Sequence, residues 1–230
     1  PLFEKVGIET TFVGHPLANK IPLKSNMFKY RKMFNLDRKE LVIALLPGSR
    51  MGELKAHTDT LLETAQNLLE VHPDAKFLIP ATNDNNVHFI KSRIRNNPTK
   101  NLKLIKGKVD EILNSANIAI AASGTASLQI ALHKKPMIII YKGSWISYFI
   151  WKMVRLIPNV SLPNILLNEN FVPEMLQHRA TPNLLSEKAC EIIKDKKYLI
   201  KIESKFNKLH KDLKKNTSSL IFKIIKPYLK

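Results

Sequence analysis

The chain of 230 residues is long enough to bury one large core, its 44% hydrophobic content is that of an ordinary globular domain, and its net charge is +18. A single cysteine, Cys190, excludes an internal disulfide, and no His/Cys/acidic cluster at metal-ligand spacing stands out, so neither a disulfide scaffold nor a metal or cofactor is expected. Part of the positive balance is a compositional bias, since Lys, Asn and Ile are abundant together; the rest points to an anionic membrane surface rather than nucleic acid, because the lysines are spread along helices with no interleaved aromatic platform.

In chain order, the opening Pro1-Leu2-Phe3 reads as a fragment or processed piece. Thr11 to Pro16 reads as a strand end entering a turn. Gly14-His15 places a histidine there, either a structural residue or a catalytic one. Residues 25–35 read as a connecting helix, so residues 1–35 are taken as the end of a preceding domain and its connector. From Leu41 to Tyr141 apolar strands alternate with helical patterns: strands at 41–46, 76–80, 102–105, 117–121 and 136–141, helices at 51–71, 85–95, 109–114 and 126–133. Strands apolar on both faces, in βαβ alternation, predict a parallel sheet covered by helices on both sides over residues 36–185. The gly-free, Lys-rich stretch 186–230 repeats apolar residues at helical spacing and predicts amphipathic helices, with Cys190 a small core residue among them.

Two strand-to-helix junctions carry the chemistry. Pro47-Gly48-Ser49-Arg50 follows the first strand, and Ser123-Gly124-Thr125 follows the fourth. Amides at a helix start, aligned with the positive end of its dipole, suit a phosphate, and open parallel sheets bind ligands at these strand ends. Arg50 adds a planar fork for phosphate oxygens, at a helix start where a cation is otherwise disfavoured. Glu53, in the first turn, fits a helix cap or a partner for Arg50. Gln129 lies one turn into the second helix and can reach a ribose hydroxyl, or else faces solvent. His57, His72, His88, His133 and His178 read as surface or helix positions.

The run from Trp145 to Ile157 is too short to span a bilayer. Trp145, Phe149 and Trp151, with Lys152 and Arg155, suit a helix lying in the headgroup plane; a core helix is the competing reading.

Together, Phe12-Val13-Gly14-His15-Pro16-Leu17, Leu45-Leu46-Pro47-Gly48-Ser49-Arg50 with Glu53, Ala122-Ser123-Gly124-Thr125-Ala126, Lys135-Pro136-Met137 with Tyr141, Ser161-Leu162-Pro163-Asn164 and Val172-Pro173-Glu174 resemble the lipid-A-disaccharide synthase family. The resemblance implies the C-terminal, donor-binding half of a GT-B glycosyltransferase, a Rossmann-like α/β domain with a C-terminal helical extension. It implies transfer of 2,3-diacylglucosamine from a UDP donor to 2,3-diacylglucosamine 1-phosphate, with an N-terminal half as partner and a cytoplasmic, peripheral place at the inner membrane. Ser49, Arg50 and the Ser123-Gly124-Thr125 helix start would hold the diphosphate, Tyr141 would lie near the uracil, and Asn164 would face the cleft as a catalytic residue. The aromatic run would meet acyl chains. Two positions depart from the family pattern: Gln129 stands where Glu is usual, and Asn168-Glu169 where Gly-Arg is usual, placing an anion where donor binding calls for a cation. The alternatives are an inactive remnant or membrane-associated UDP-binding module, and a related UDP-sugar enzyme such as a 2-epimerase or a MurG-like transferase.

Overall fold

The computed structural model describes residues 7–143 and 159–229. Strands β1 (Val42–Leu46), β2 (Lys76–Ala81), β3 (Leu102–Lys106), β4 (Ile118–Ala122), β5 (Met137–Tyr141) and β6 (Glu174–Leu176) form one sheet in the order β3-β2-β1-β4-β5-β6. Every neighbouring pair is parallel. The helices in chain order are α1 (Pro16–Lys20), α2 (Met27–Met33), α3 (Met51–Val71), α4 (Asp84–Asn96), α5 (Val109–Ser115), α6 (Thr125–Leu132), α7 (Leu162–Leu167), α8 (Pro182–Lys194), α9 (Lys196–Leu213) and α10 (Thr217–Ile225).

The period-2 geometry of a strand explains why β1 is apolar throughout. Val42, Ala44 and Leu46 point into a core shared with Leu128 and Leu132 of α6 and Phe206 and Leu209 of α9. Ile43 and Leu45 point the other way, into a core with Leu54, Leu61 and Leu68 of α3 and Leu185 and Ala189 of α8. The helices beyond residue 186 therefore complete both faces of the sheet, and the boundary expected at 185/186 falls inside α8. Cys190 is half-buried on α8 and packs against the second core.

Asn83, Asn26 and Thr181 cap α4, α2 and α8 through side-chain oxygens that accept helix-start amides. The connector before β1 is held by Arg31, only 1% exposed. Its guanidinium donates to the carbonyls of Ser115, Asp37 and Arg38 and to Asn117 Oδ1, and so staples α2 to the entrance of β4.

Two elements have no counterpart in the strands and helices read from the sequence. Ser161-Leu162-Pro163-Asn164 opens a helix, α7, with Ser161 as N-cap and Pro163 in its first turn. Strand β6 has only three residues and includes a glutamate, giving no periodic signal.

Candidate functional site

In the order β3-β2-β1-β4-β5-β6 the chain direction of the crossovers reverses between β1 and β4, and in open α/β sheets the crevice at that point, beyond the carboxyl ends of the strands, is where ligands seat. A cavity of about 340 Å³ lies there, lined by Gly48, Ser49, Arg50 and Glu53 from one junction and by Ser123 to Ala126 with Gln129 from the other. Pairing of Leu46 with Ala121 brings the two junctions side by side, although 75 residues separate them in the chain.

The two helix starts are not equivalent. At α3 the anion seat is already filled: Glu53 Oε2 accepts the amides of Ser49 at 2.8 Å and Arg50 at 3.2 Å. This corrects the expectation of free amides at Pro47-Gly48-Ser49-Arg50. Gly48, at φ +114°, is required here, because a β-carbon would collide with the Glu53 side chain. Arg50 extends from this turn with its side chain 86% exposed and Nη1 3.5 Å from Glu53 Oε1, a loose pair that leaves most of its donors available. Asn86 of α4 steadies the loop from behind, donating to Ser49 O at 2.8 Å and Thr82 Oγ1 at 2.6 Å.

At α6 the start is open. Gly124 adopts φ 153° and ψ −161°, a region that only glycine populates freely, and a β-carbon there would meet nothing within 4 Å. The glycine is thus demanded by backbone shape, and space lies above it. Ser123 N donates to Ile140 O, and Ser127 N and Oγ both turn back to Gly124 O. The amides of Gly124, Thr125 and Ala126 find no acceptor among the described residues, so three donors at the positive end of α6 face the cavity.

Gln129 lines the same cavity, and its Nε2 donates to Asp110 Oδ1 at 2.6 Å. His133, expected at a surface or helix position, is buried at the end of α6, where its Nε2 lies 2.9 Å from the same oxygen. The hydrogen bond from His133 holds the Asp110 carboxyl below the usual carboxylate range, against the cost of desolvation, and Gln129 adds to it.

His57 is likewise buried on α3. Its Nε2 accepts the amide of Lys142 at 3.0 Å, which leaves the proton on Nδ1, 3.2 Å from Pro47 O. Burial pushes its pKa below the usual histidine value, opposed by the hydrogen bond to Pro47.

Several expected site residues lie elsewhere. Asn164 does not face the cleft. It is fully buried, its Nδ2 donating to Val172 O and Glu174 Oε1 and its Oδ1 accepting from Phe171 N and Val172 N, so the carboxamide has no bonding capacity left for a substrate. Glu174 is the hub of this network, its carboxylate also accepting from Val160 N, Ser161 N and Ser161 Oγ. Glu169 is not among the residues lining the cavity and pairs with Lys205 of α9, which offsets the charge expected to oppose a diphosphate. Tyr141 ends β5, partly exposed and outside the cavity lining, so the uracil contact expected of it has no counterpart in the cavity walls. Gly14, at φ +85°, and His15 pack against the end of α9: His15 N donates to Leu213 O, and His15 Nδ1 accepts Leu17 N as the cap of α1. Trp145, Phe149, Trp151, Lys152 and Arg155 lie outside the described residues.

Comparison with known proteins agrees with this layout. The family model described as lipid-A-disaccharide synthetase matches residues 1–225. The lipid-A-disaccharide synthase of Dechloromonas aromatica is 38% identical over 94% of this chain and 58% of its own length. That of Aromatoleum aromaticum is 37% identical over 99% of this chain and 59% of its own. The chain thus spans a little under three fifths of these relatives. Among solved structures, Acinetobacter baumannii MurG superposes with a TM-score of 0.57 at 13% identity, covering 96% of this chain and 57% of that one. A glycosyltransferase from Rickettsia africae gives 0.55 at 13% identity, covering 89% and 52%. These likenesses show the fold, a GT-B-type parallel sheet flanked by helices. The family-model match over residues 1–225 and the 37–38% identity to the two synthases show more: the chain belongs to the lipid-A-disaccharide synthetase family.

Proposed function

We propose that this chain is the donor-binding part of a glycosyltransferase that moves 2,3-diacylglucosamine from its UDP carrier to 2,3-diacylglucosamine 1-phosphate, releasing UDP. The observation that carries the reading is the trio of unpaired amides at the start of α6 facing Arg50 across a cavity at the sheet's switch point. The diphosphate sits on the amides of Gly124, Thr125 and Ala126, where the α6 dipole favours negative charge. Charge grows on the β-phosphate as the glycosidic bond to UDP breaks, and fixed donors with the Arg50 guanidinium stabilise it more in the transition state than in the bound donor. Ser49 and Ser123 flank that position, and Gln129 receives a ribose hydroxyl.

The acceptor and the group that activates its hydroxyl belong to the N-terminal half of the family's proteins in this reading. Trp145, Phe149, Trp151, Lys152 and Arg155 meet the anionic inner-membrane surface from the cytoplasmic side. Among the described residues no helix is long and apolar enough to cross a membrane.

A second reading, a UDP-binding module without transferase activity, draws on Glu53, which occupies the amides at the first junction. Thermal stabilisation by UDP compared with ADP tests binding; absence of a UDP-specific shift overturns both readings. Disaccharide formation from the two diacylated substrates, with a separately supplied N-terminal half, then separates transferase from module. Serine at Trp145, Phe149 and Trp151 together should lower liposome binding with the melting temperature kept; a collapsed fold would reassign them to the core.

A further inference from the structure

Gln129 and Asp110 are joined by a short hydrogen bond whose direction is fixed. A carboxylate only accepts, so the 2.6 Å contact must run from Gln129 Nε2 to Asp110 Oδ1. The donor from His133, whose side chain is 1% exposed, reaches the same oxygen at 2.9 Å and holds the carboxylate from the other side. His133 is itself anchored, because its amide closes the last turn of α6 onto the carbonyls of Gln129, Ile130 and Ala131. The carboxamide of Gln129 therefore cannot flip without placing its oxygen against Asp110 Oδ1. Its Oε1 has no partner among the described residues and is the end left to a ligand in the cavity that Gln129 lines.

We propose that Asp110 is a positioning residue that sets the Gln129 carboxamide oxygen-outward, so that this edge of the cavity accepts a hydrogen bond and selects a ligand bearing sugar hydroxyls. The inference rests on the uridine-nucleotide reading of the same cavity and adds the means of ribose selection. It also explains the amide at position 129. A carboxylate there would stand against Asp110 at hydrogen-bond distance with no proton between them, so the amide at 129 and the acid at 110 form a matched pair.

The test uses the full chain, with UDP and 2′,3′-dideoxy-UDP as probes, in calorimetry and in melts without ligand. Wild type should prefer UDP by about tenfold, the worth of one hydrogen bond to a sugar hydroxyl. D110A frees the carboxamide to turn and should reduce that preference to about twofold or less while the dideoxy nucleotide still binds. Q129E should weaken UDP by about tenfold and lower the melting temperature, and Q129E/D110N should restore both, since an amide nitrogen at 110 can donate to the new acid and to Nε2 of His133 in its other neutral tautomer. The proposal is overturned if Q129E binds and melts like wild type, or if the double variant is no better than Q129E. A wild type that binds the dideoxy nucleotide as well as UDP overturns ribose selection while leaving the diphosphate reading standing. A wild type that binds neither overturns the nucleotide reading, and the melting series then decides the pairing by itself.

Discussion

His57 Nε2 and the amide of Lys142 meet at 3.0 Å, and through this contact the loop after β5 is tied to the loop after β1, since the other ring nitrogen of His57 holds Pro47 O. The bond from Lys142 requires the neutral ring, whereas the Nδ1–H bond to Pro47 O survives protonation and only moderates the effect of burial. Because burial lowers the pKa of His57 from its ordinary 6.5, the unfolded chain takes up a proton before the folded one does. Stability should therefore fall as pH drops from about 6.5 toward the lowered folded value. His57→Leu should cost about 1–2 kcal/mol at neutral pH, through the two lost hydrogen bonds, and flatten that acid limb in melts from pH 7 to 5. A variant with the wild-type slope would show that another group titrates.

Arg50 has little to do for the fold, with its side chain 86% exposed and one loose partner. Arg50→Ala should leave the melting temperature within error and weaken UDP by about tenfold or more, the worth of one hydrogen bond to a charged group. Unchanged affinity in calorimetry removes Arg50 from the site.

Glu53 works in the opposite sense. Glu53→Ala strips two amides of their acceptor and should destabilise the chain by about 1 kcal/mol, as loss of a helix cap does. The same change vacates an anion seat, so UDP binding should strengthen. Weaker binding of UDP by this variant would mean that the carboxylate assists the ligand.

Asn164 separates packing from chemistry. Asn164→Ala leaves Val172 O, Phe171 N and Val172 N without partners and should cost at least about 2 kcal/mol. In protein kept folded at low temperature UDP affinity should match wild type; a selective loss of affinity with an unchanged melting temperature would return Asn164 to the cleft.

Lys135 is buried and its ammonium donates to Asn114 O and Ala116 O, yet burial lowers its pKa from 10.5 to about 8. Between those values the unfolded chain binds a proton that the folded chain has shed, so stability should rise with pH across that window. Lys135→Met should show a shallower rise in denaturant melts.

The layout was readable wherever local pattern and global fold agree. Strands such as Val42–Leu46 are apolar on both faces because helices cover both, and that pattern needs no partner to be seen. The junctions at Gly48 and Gly124 were visible as small-residue turns, and Gln129 falls on the cavity wall as its spacing from Thr125 suggests. What was hidden depends on long-range pairing. Glu53 was recognisable as a cap, but its occupation of the very amides assigned to phosphate follows only from the loop's path. Asn164 has the residue type of a polar site group, and only the return of β6 past α7 consumes its bonding capacity. His57 and Asp110 gave no motif at all: each matters through partners 85 and 19 residues away, respectively.

The tethered carboxylate at the first turn has a consequence for where an anion can sit. Glu53 is part of the helix whose start it covers, so it competes at an effective concentration far above that of a dissolved ion. Chloride or a lone phosphate gains too little to evict it. The occupant thus closes the α3 start to small anions and leaves the open α6 start as the seat on this side of the sheet.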